Sequence, residues 1–159
     1  MITEDYVSFE TAKLLKKKGF SEKVKAWYVY SPKSYCKITG EEVVDYNPSP
    51  IGFSRYGCDA NHDETLSDSC CSAPTLQMTM KWLREVYNLF ISIYSYPYSY
   101  TTHGWSFLIH PIKYTDGLGW NWDDSLEVLI NKKNSDDKVY FTYEECCEKA
   151  IKHCLENLI

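Results

Sequence analysis

The stretch Phe90-Ile-Ser-Ile-Tyr-Ser-Tyr-Pro-Tyr-Ser-Tyr100 decides how the rest of the chain is read. Side chains of an extended strand leave alternate faces. Ile91 and Ile93 therefore share one face, while Phe90, Ser92, Tyr94 and Tyr96 share the other. The alternation predicts a strand over 90–96 with an aliphatic side that needs a cover. Two amphipathic patterns supply it. Over 75–88, Leu76, Met80, Leu83 and Tyr87 recur at helical spacing behind Pro74, a residue tolerated in a first helical turn. Lys81 and Glu85 form an i,i+4 pair on the outer side, and Asn88 can end the helix. At the other end, Thr142-Tyr-Glu-Glu145 is a capping box. Tyr143, Cys147, Ala150, Ile151, Cys154, Leu155 and Leu158 then form one apolar stripe.

Outward from these elements the signals are shorter. The spacing predicts a further strand over 105–114, bent or at an edge because of Pro111, followed by a turn at Asp116-Gly-Leu-Gly119. Residues 126–131 fit a strand or a short helix equally well. In the N-terminal half, Ser8 is placed to cap a helix over 9–18, with Phe9, Ala12 and Leu15 inward and Lys13, Lys16 and Lys17 in solvent. Gly19 offers the left-handed stop. Residues 24–30 alternate as a strand, Ser31-Pro-Lys-Ser34 reads as a turn, and 35–38 and 43–46 read as short strands. From Asn47 to Ser72, Pro, Gly, Asn, Asp and Ser dominate. The expected architecture is α+β, with three helices packed on an antiparallel sheet of four to five strands. One domain would span residues 1–159, with a long loop or insertion at about 47–72.

Composition narrows the function classes. At 159 residues, 44% hydrophobic and 25% charged, the chain has a globular balance and is neither fibrous nor wholly disordered. A net charge of −5 argues against a nucleic acid polymer as partner. No apolar run approaches the roughly 18 residues that span a bilayer. Met1-Ile-Thr-Glu-Asp-Tyr6 has no basic n-region of a secretory signal, so a cytoplasmic location and no membrane partner are expected. Seven cysteines is an odd number and does not suit a disulfide framework. Cys147 and Cys154 fall on the core stripe; Cys58, Cys70, Cys71 and Cys146 are expected as free thiols.

Three chemistries fit the residue types present. Cys58, His62, Cys70 and Cys71 form a C-x3-H-x7-C-C run that offers zinc its ligand types, but adjacent cysteines seldom both reach one ion. No metal and no cofactor are expected. A Cys–His nucleophile would need a thiolate-favouring site; of the four histidines only His103, beside Gly104 in a Tyr-rich turn, suits one. Asp123 and Asp124 behind Trp120 and Trp122 resemble a stacking platform with acids, though a helix cap explains them as well. No P-loop, nucleophile elbow or dinucleotide fingerprint is present, so no catalytic residues are assigned and no enzyme is expected.

What remains is aromatic. The chain holds 14 Tyr, and Tyr94, Tyr96, Tyr98 and Tyr100 occupy every second position, with His103 and Trp105 just beyond. Such rings can stack on a planar ligand, each stacked base contributing about 1–3 kcal/mol. They suit a protein or oligomer interface equally, or simple cross-strand packing. Arg55, beside Tyr56, and Arg84, after Trp82, are the only arginines and are candidate anion clamps.

Three blocks carry a resemblance: Tyr6-Val-Ser-Phe-Glu-Thr-Ala-Lys-Leu-Leu-Lys-Lys-Lys-Gly-Phe20, Ala73-Pro-Thr-Leu-Gln-Met-Thr-Met-Lys-Trp-Leu-Arg-Glu-Val86, and Tyr143-Glu-Glu with Ala150-Ile-Lys-His-Cys-Leu-Glu-Asn-Leu-Ile159. They resemble a family of small uncharacterised proteins of Bacteroides-type gut bacteria and their phages and prophages. The resemblance brings no activity and no catalytic residues. It implies a phage accessory context, in which small proteins antagonise host defence by sequestering a nucleotide signal or by binding a defence protein. The expectation is a non-enzymatic, homo-oligomeric binding protein in the host bacterial cytosol. Its ligand would be a small, anionic, nucleotide-like molecule held by Tyr94, Tyr96, Tyr98, Tyr100, His103, Trp105, Arg55 and Arg84. The alternative is an interaction module that blocks a host or phage protein, and the third reading is a nucleotide-degrading enzyme.

Overall fold

The computed structural model describes residues 5–35, 42–46, 57–62, 70–97, 103–115, 119–122 and 140–159. Within them the protein is a mixed α+β chain. Its element order is α1 (Phe9–Lys17), β1 (Trp27–Tyr35), β2 (Glu42–Tyr46), β3 (Cys70–Ser72), α2 (Leu76–Tyr87), β4 (Leu89–Pro97), β5 (His103–Thr115), β6 (Gly119–Trp122) and α3 (Tyr143–Asn157). The strands do not join one sheet of four or five. They form two antiparallel three-stranded sheets, ordered β2-β1-β3 and β4-β5-β6, which belong to two compact units, Met1–Thr75 and Leu76–Ile159.

In the first unit, Ser8 caps α1 as its sequence position suggests, its Oγ accepting the Thr11 N–H at 3.3 Å. Phe9, Thr11, Ala12 and Leu15 are buried. Gly19, at φ +80°, turns the chain out of the helix, and the Phe20 N–H returns to the Leu15 carbonyl at 3.0 Å. Phe9 meets Tyr28 of β1 edge-on at 5.4 Å, and the buried Tyr28 hydroxyl donates to the Val7 carbonyl at 2.8 Å. Lys16 leaves the solvent face expected for it. Its ammonium donates to the Cys70 carbonyl at 2.8 Å and ties α1 to β3.

Two expectations in this unit need correction. Ser31-Pro-Lys-Ser34 is not a turn: β1 runs on to Tyr35, and its pairing with β2 slips between Ser31 and Ser34. Pro32 lacks a backbone donor, and such an irregularity in the ladder is where a strand accepts it. Tyr35 therefore ends β1, while 36–38 lies outside the described residues. Nor is 47–72 loop throughout. Val24 and Cys58 exchange two backbone hydrogen bonds, and Cys70, Cys71 and Ser72 pair with Val29, Tyr28 and Trp27. All three residues of β3 are buried, so no alternation marked it in the sequence.

In the second unit, α2 buries Leu76, Thr79, Trp82 and Leu83. The stripe is rotated from the one expected, because Met80 and Tyr87 are only half-buried while the Trp82 indole turns inward, 5.1 Å from the Tyr87 ring. Asn88 takes the left-handed conformation, φ 55°, and starts β4 at the next residue. Lys81 and Glu85 stand 3.8 Å apart on the exposed side. In α3 the Thr142 hydroxyl accepts the Glu145 N–H at 3.0 Å, and Cys146 joins Cys147, Ala150, Ile151, Cys154 and Leu155 in the core. No helix among the described residues is long and apolar enough to cross a membrane.

Candidate functional site

β4 and β5 pair without interruption from Leu89↔Pro111 to Pro97↔His103. Directly paired residues share a face of an antiparallel sheet. Leu89, Ile91 and Ile93 thus lie with Pro111, Ile109, Phe107 and Trp105, and α3 packs on this side. The Trp105 ring meets Tyr143 edge-on at 5.3 Å, while Phe107 stacks on Tyr140 at 6.0 Å and stands 6.4 Å from His153. α2 packs beside α3 and along β4. Ile91, Phe107 and Ile109 are buried there, as the aliphatic alternation predicts for the isoleucines' side.

The outer face carries Phe90, Ser92 and Tyr94 from β4, opposite His110, Leu108 and Ser106 of β5. Tyr94 is 37% exposed, and the other five are half-buried. The expected platform is therefore divided. Tyr94 and Trp105 leave opposite sides of one sheet and cannot stack on the same ligand from a common surface. Tyr96 and His103 belong to β4 and β5 by their backbones, pairing with Gly104 and Pro97. Arg84, in the last turn of α2, is half-buried on the helical layer and joins neither ring. Tyr98, Tyr100, Arg55, Asp123, Asp124 and 126–131 lie outside the described residues.

Pro111 sits in the central strand of its sheet, not in an edge strand. It is tolerated because it points away from β4 and the pairing with β6 begins only at Ile112. Where β6 is absent, Tyr140 takes the same side of β5, exchanging two backbone hydrogen bonds with Trp105 at 2.8 and 2.9 Å. Sequence reasoning missed Tyr140, whose only local signal is its place two residues before the Thr142 cap.

Electrostatics quiets the reactive groups. Burial pushes the Cys71 and Cys154 thiols up to about 12, and burial with the neighbouring Cys147 does the same for Cys146. Burial also raises Cys70, against the opposing pull of the Lys16 charge. These thiols stay protonated at neutral pH and are poor nucleophiles and metal ligands. The six described cysteines are all unbridged. Cys58, His62, Cys70 and Cys71 do not assemble a cation site: among the described residues no three His, Cys, Asp or Glu side chains converge. His62 instead holds Asp59, with Nδ1 3.0 Å from Oδ2 on the surface. On the helical side, Gln77 donates to the Tyr143 hydroxyl at 3.3 Å, which favours the phenolate. Burial and a hydrogen bond with Cys147 outweigh it, so the phenol lies above its ordinary value. Burial raises Tyr140 too. Both aromatic anchors are neutral. Compared with family models, curated proteins and solved structures, the chain matches none.

Proposed function

We propose that this chain is a non-enzymatic binding protein that works through the outer face of the β4–β5 sheet, with another protein as its partner. The exposed Tyr94 ring carries the reading: it stands on the side of the sheet that α3 leaves uncovered, among half-buried Phe90, Leu108 and Ser106. A rigid tyrosine surrounded by partly buried neighbours is the usual anchor of a protein interface. The protonated thiols and the Asp59–His62 pair on the surface supply no nucleophile or metal centre, which supports binding over turnover. A small nucleotide-like ligand, the other reading of the tyrosine pattern, draws no support from Tyr94 and Trp105, since a sheet separates them. The likeness of the helical blocks to phage proteins makes a host defence protein in the bacterial cytosol the partner class.

The test places a photoreactive phenylalanine analogue at position 94 and, as a control, at Val86, which is 54% exposed on α2. Illumination in host lysate is expected to give one discrete adduct with a lysate protein from position 94, distinct from any adduct between two copies of the chain, and none from position 86. Equal labelling at both positions, or a thermal shift with a nucleotide that Tyr94→Ala abolishes, overturns the reading.

A further inference from the structure

We infer that the free side of β4 pairs with the β4 strand of a second copy, making one six-stranded antiparallel sheet with α2 and α3 of both copies on the same side. The inference does not depend on what the outer face binds. It begins with the direction of backbone groups. In an antiparallel ladder, the residues that bond to a neighbouring strand alternate with residues whose N–H and C=O point away. Trp105 spends both its backbone groups on Tyr140, on the side of β5 away from β4. Its partner Ser95 must then also point away from β5. The Ile112 N–H, by contrast, donates to the Asn88 carbonyl at 2.6 Å. With no slip in the register between these two points, Leu89, Ile91, Ile93 and Ser95 all direct their N–H and C=O to the free side of β4. Among the described residues no strand pairs there, because β4 ends its sheet.

An edge of this kind is usually blunted by charge, a bulge or proline. β4 has no charged residue and no bulge, and its proline comes only at its last position, Pro97. A strand satisfies donors and acceptors together, and this sequence is complementary to itself. One two-fold register uses all four outward residues: it centres on Ser92, with Ile91 opposite Ile93 and Leu89 opposite Ser95. Four such pairs exchange on the order of eight hydrogen bonds. The same register sets Phe90 against Tyr94 at close, non-hydrogen-bonded positions on the outer face, an aromatic pair that favours antiparallel strands. Ile91 faces Ile93 on the helical side. Both faces therefore match, and the exposed Tyr94 gains an aromatic neighbour from the second copy.

Sedimentation of the full-length chain from about 1 to about 100 μM is expected to show a monomer–dimer equilibrium. Ser92→Lys sets two like charges face to face on the two-fold axis and is expected to weaken the dimer at least about tenfold. Its far-UV circular dichroism should stay unchanged, because Ser92 lies on the outer face. Mixing S92K with S92E should restore a dimer of one copy of each, which a merely misfolded variant could not do. Ser92→Cys gives an independent reading, since opposed non-hydrogen-bonded positions lie within reach of a disulfide. Oxidation should yield a covalent dimer that peptide mapping assigns to 92–92. A wild-type chain that sediments as a monomer throughout, a dimer indifferent to S92K, or a linkage through other cysteines overturns the inference.

Discussion

Tyr94 and Trp105 lie on neighbouring rungs of the β4–β5 ladder, yet their rings leave opposite faces of the sheet. The Trp105 ring is 5.3 Å from Tyr143 on the helical side, while Tyr94 is 37% exposed on the other. The two aromatic residues should therefore separate stability from binding. Trp105→Ala removes packing against α3 and is expected to cost about 2 kcal/mol, read as a lower denaturation midpoint with an unchanged m-value. Tyr94→Ala should stay within about 0.5–1 kcal/mol of wild type while losing capture of the protein that the position-94 adduct identifies. Comparable losses of stability in both variants would place Tyr94 in the core and remove it from the interface.

This separation also shows what the sequence could reveal. The caps Ser8 and Thr142 were legible because a cap and its N–H lie three residues apart. The aliphatic side of β4 was legible because Ile91 and Ile93 keep strict alternation. The side taken by Trp105 was not, since it depends on the register across the connection from β4 to β5. A shift of one residue in that register would have set Trp105 opposite Tyr94. β3 was hidden for a different reason: Cys70, Cys71 and Ser72 are buried together and have no period. Pro32 read as a turn because the slip that accommodates it involves pairing with β2, far along the chain.

The side chain of Asn61 closes the first unit by bonding two segments at once. Its Nδ2 donates to the Phe20 carbonyl at 2.8 Å, and its Oδ1 accepts the Ser72 N–H at 2.9 Å. Asn61→Ala removes both hydrogen bonds at once from fully buried residues, Phe20 and Ser72, and should cost about 2–3 kcal/mol. Asn61→Asp keeps the acceptor for Ser72 but presents oxygen to the Phe20 carbonyl. It should therefore be destabilising too, with partial recovery at acidic pH, where a protonated carboxyl can donate. Thermal melts of the three proteins check the order, and an unchanged midpoint for Asn61→Ala would show that water replaces the amide.

Ser72 offers the converse experiment. Its Oγ is buried and has no hydrogen-bond partner among the described residues. Ser72→Ala removes the orphan hydroxyl while keeping the backbone N–H that Asn61 holds, so a gain of about 1 kcal/mol is expected. A loss of similar size in denaturant titration would mean that the hydroxyl is satisfied after all.

The buried thiols give the protein an alkaline limit. Cys71, Cys146 and Cys154 have values near 12 in the folded chain against 9.0 for an ordinary thiol. Between these values the unfolded chain has released protons that the folded chain still holds. Folding stability therefore falls with rising pH across that window. Stability from these groups is complete below pH 9.0 and is lost progressively as the medium approaches pH 12. The melting temperature should decline steadily from about pH 9, and replacing the three cysteines with alanine should flatten that decline even though the cavities lower the starting value. Thiol labelling at neutral pH gives a second measure: Cys71, Cys146 and Cys154 should react only as fast as the chain opens, and denaturant should expose them together. Rapid labelling of any of the three in the native chain would show that burial does not hold it protonated, and with it the argument against a cysteine nucleophile would lose its footing.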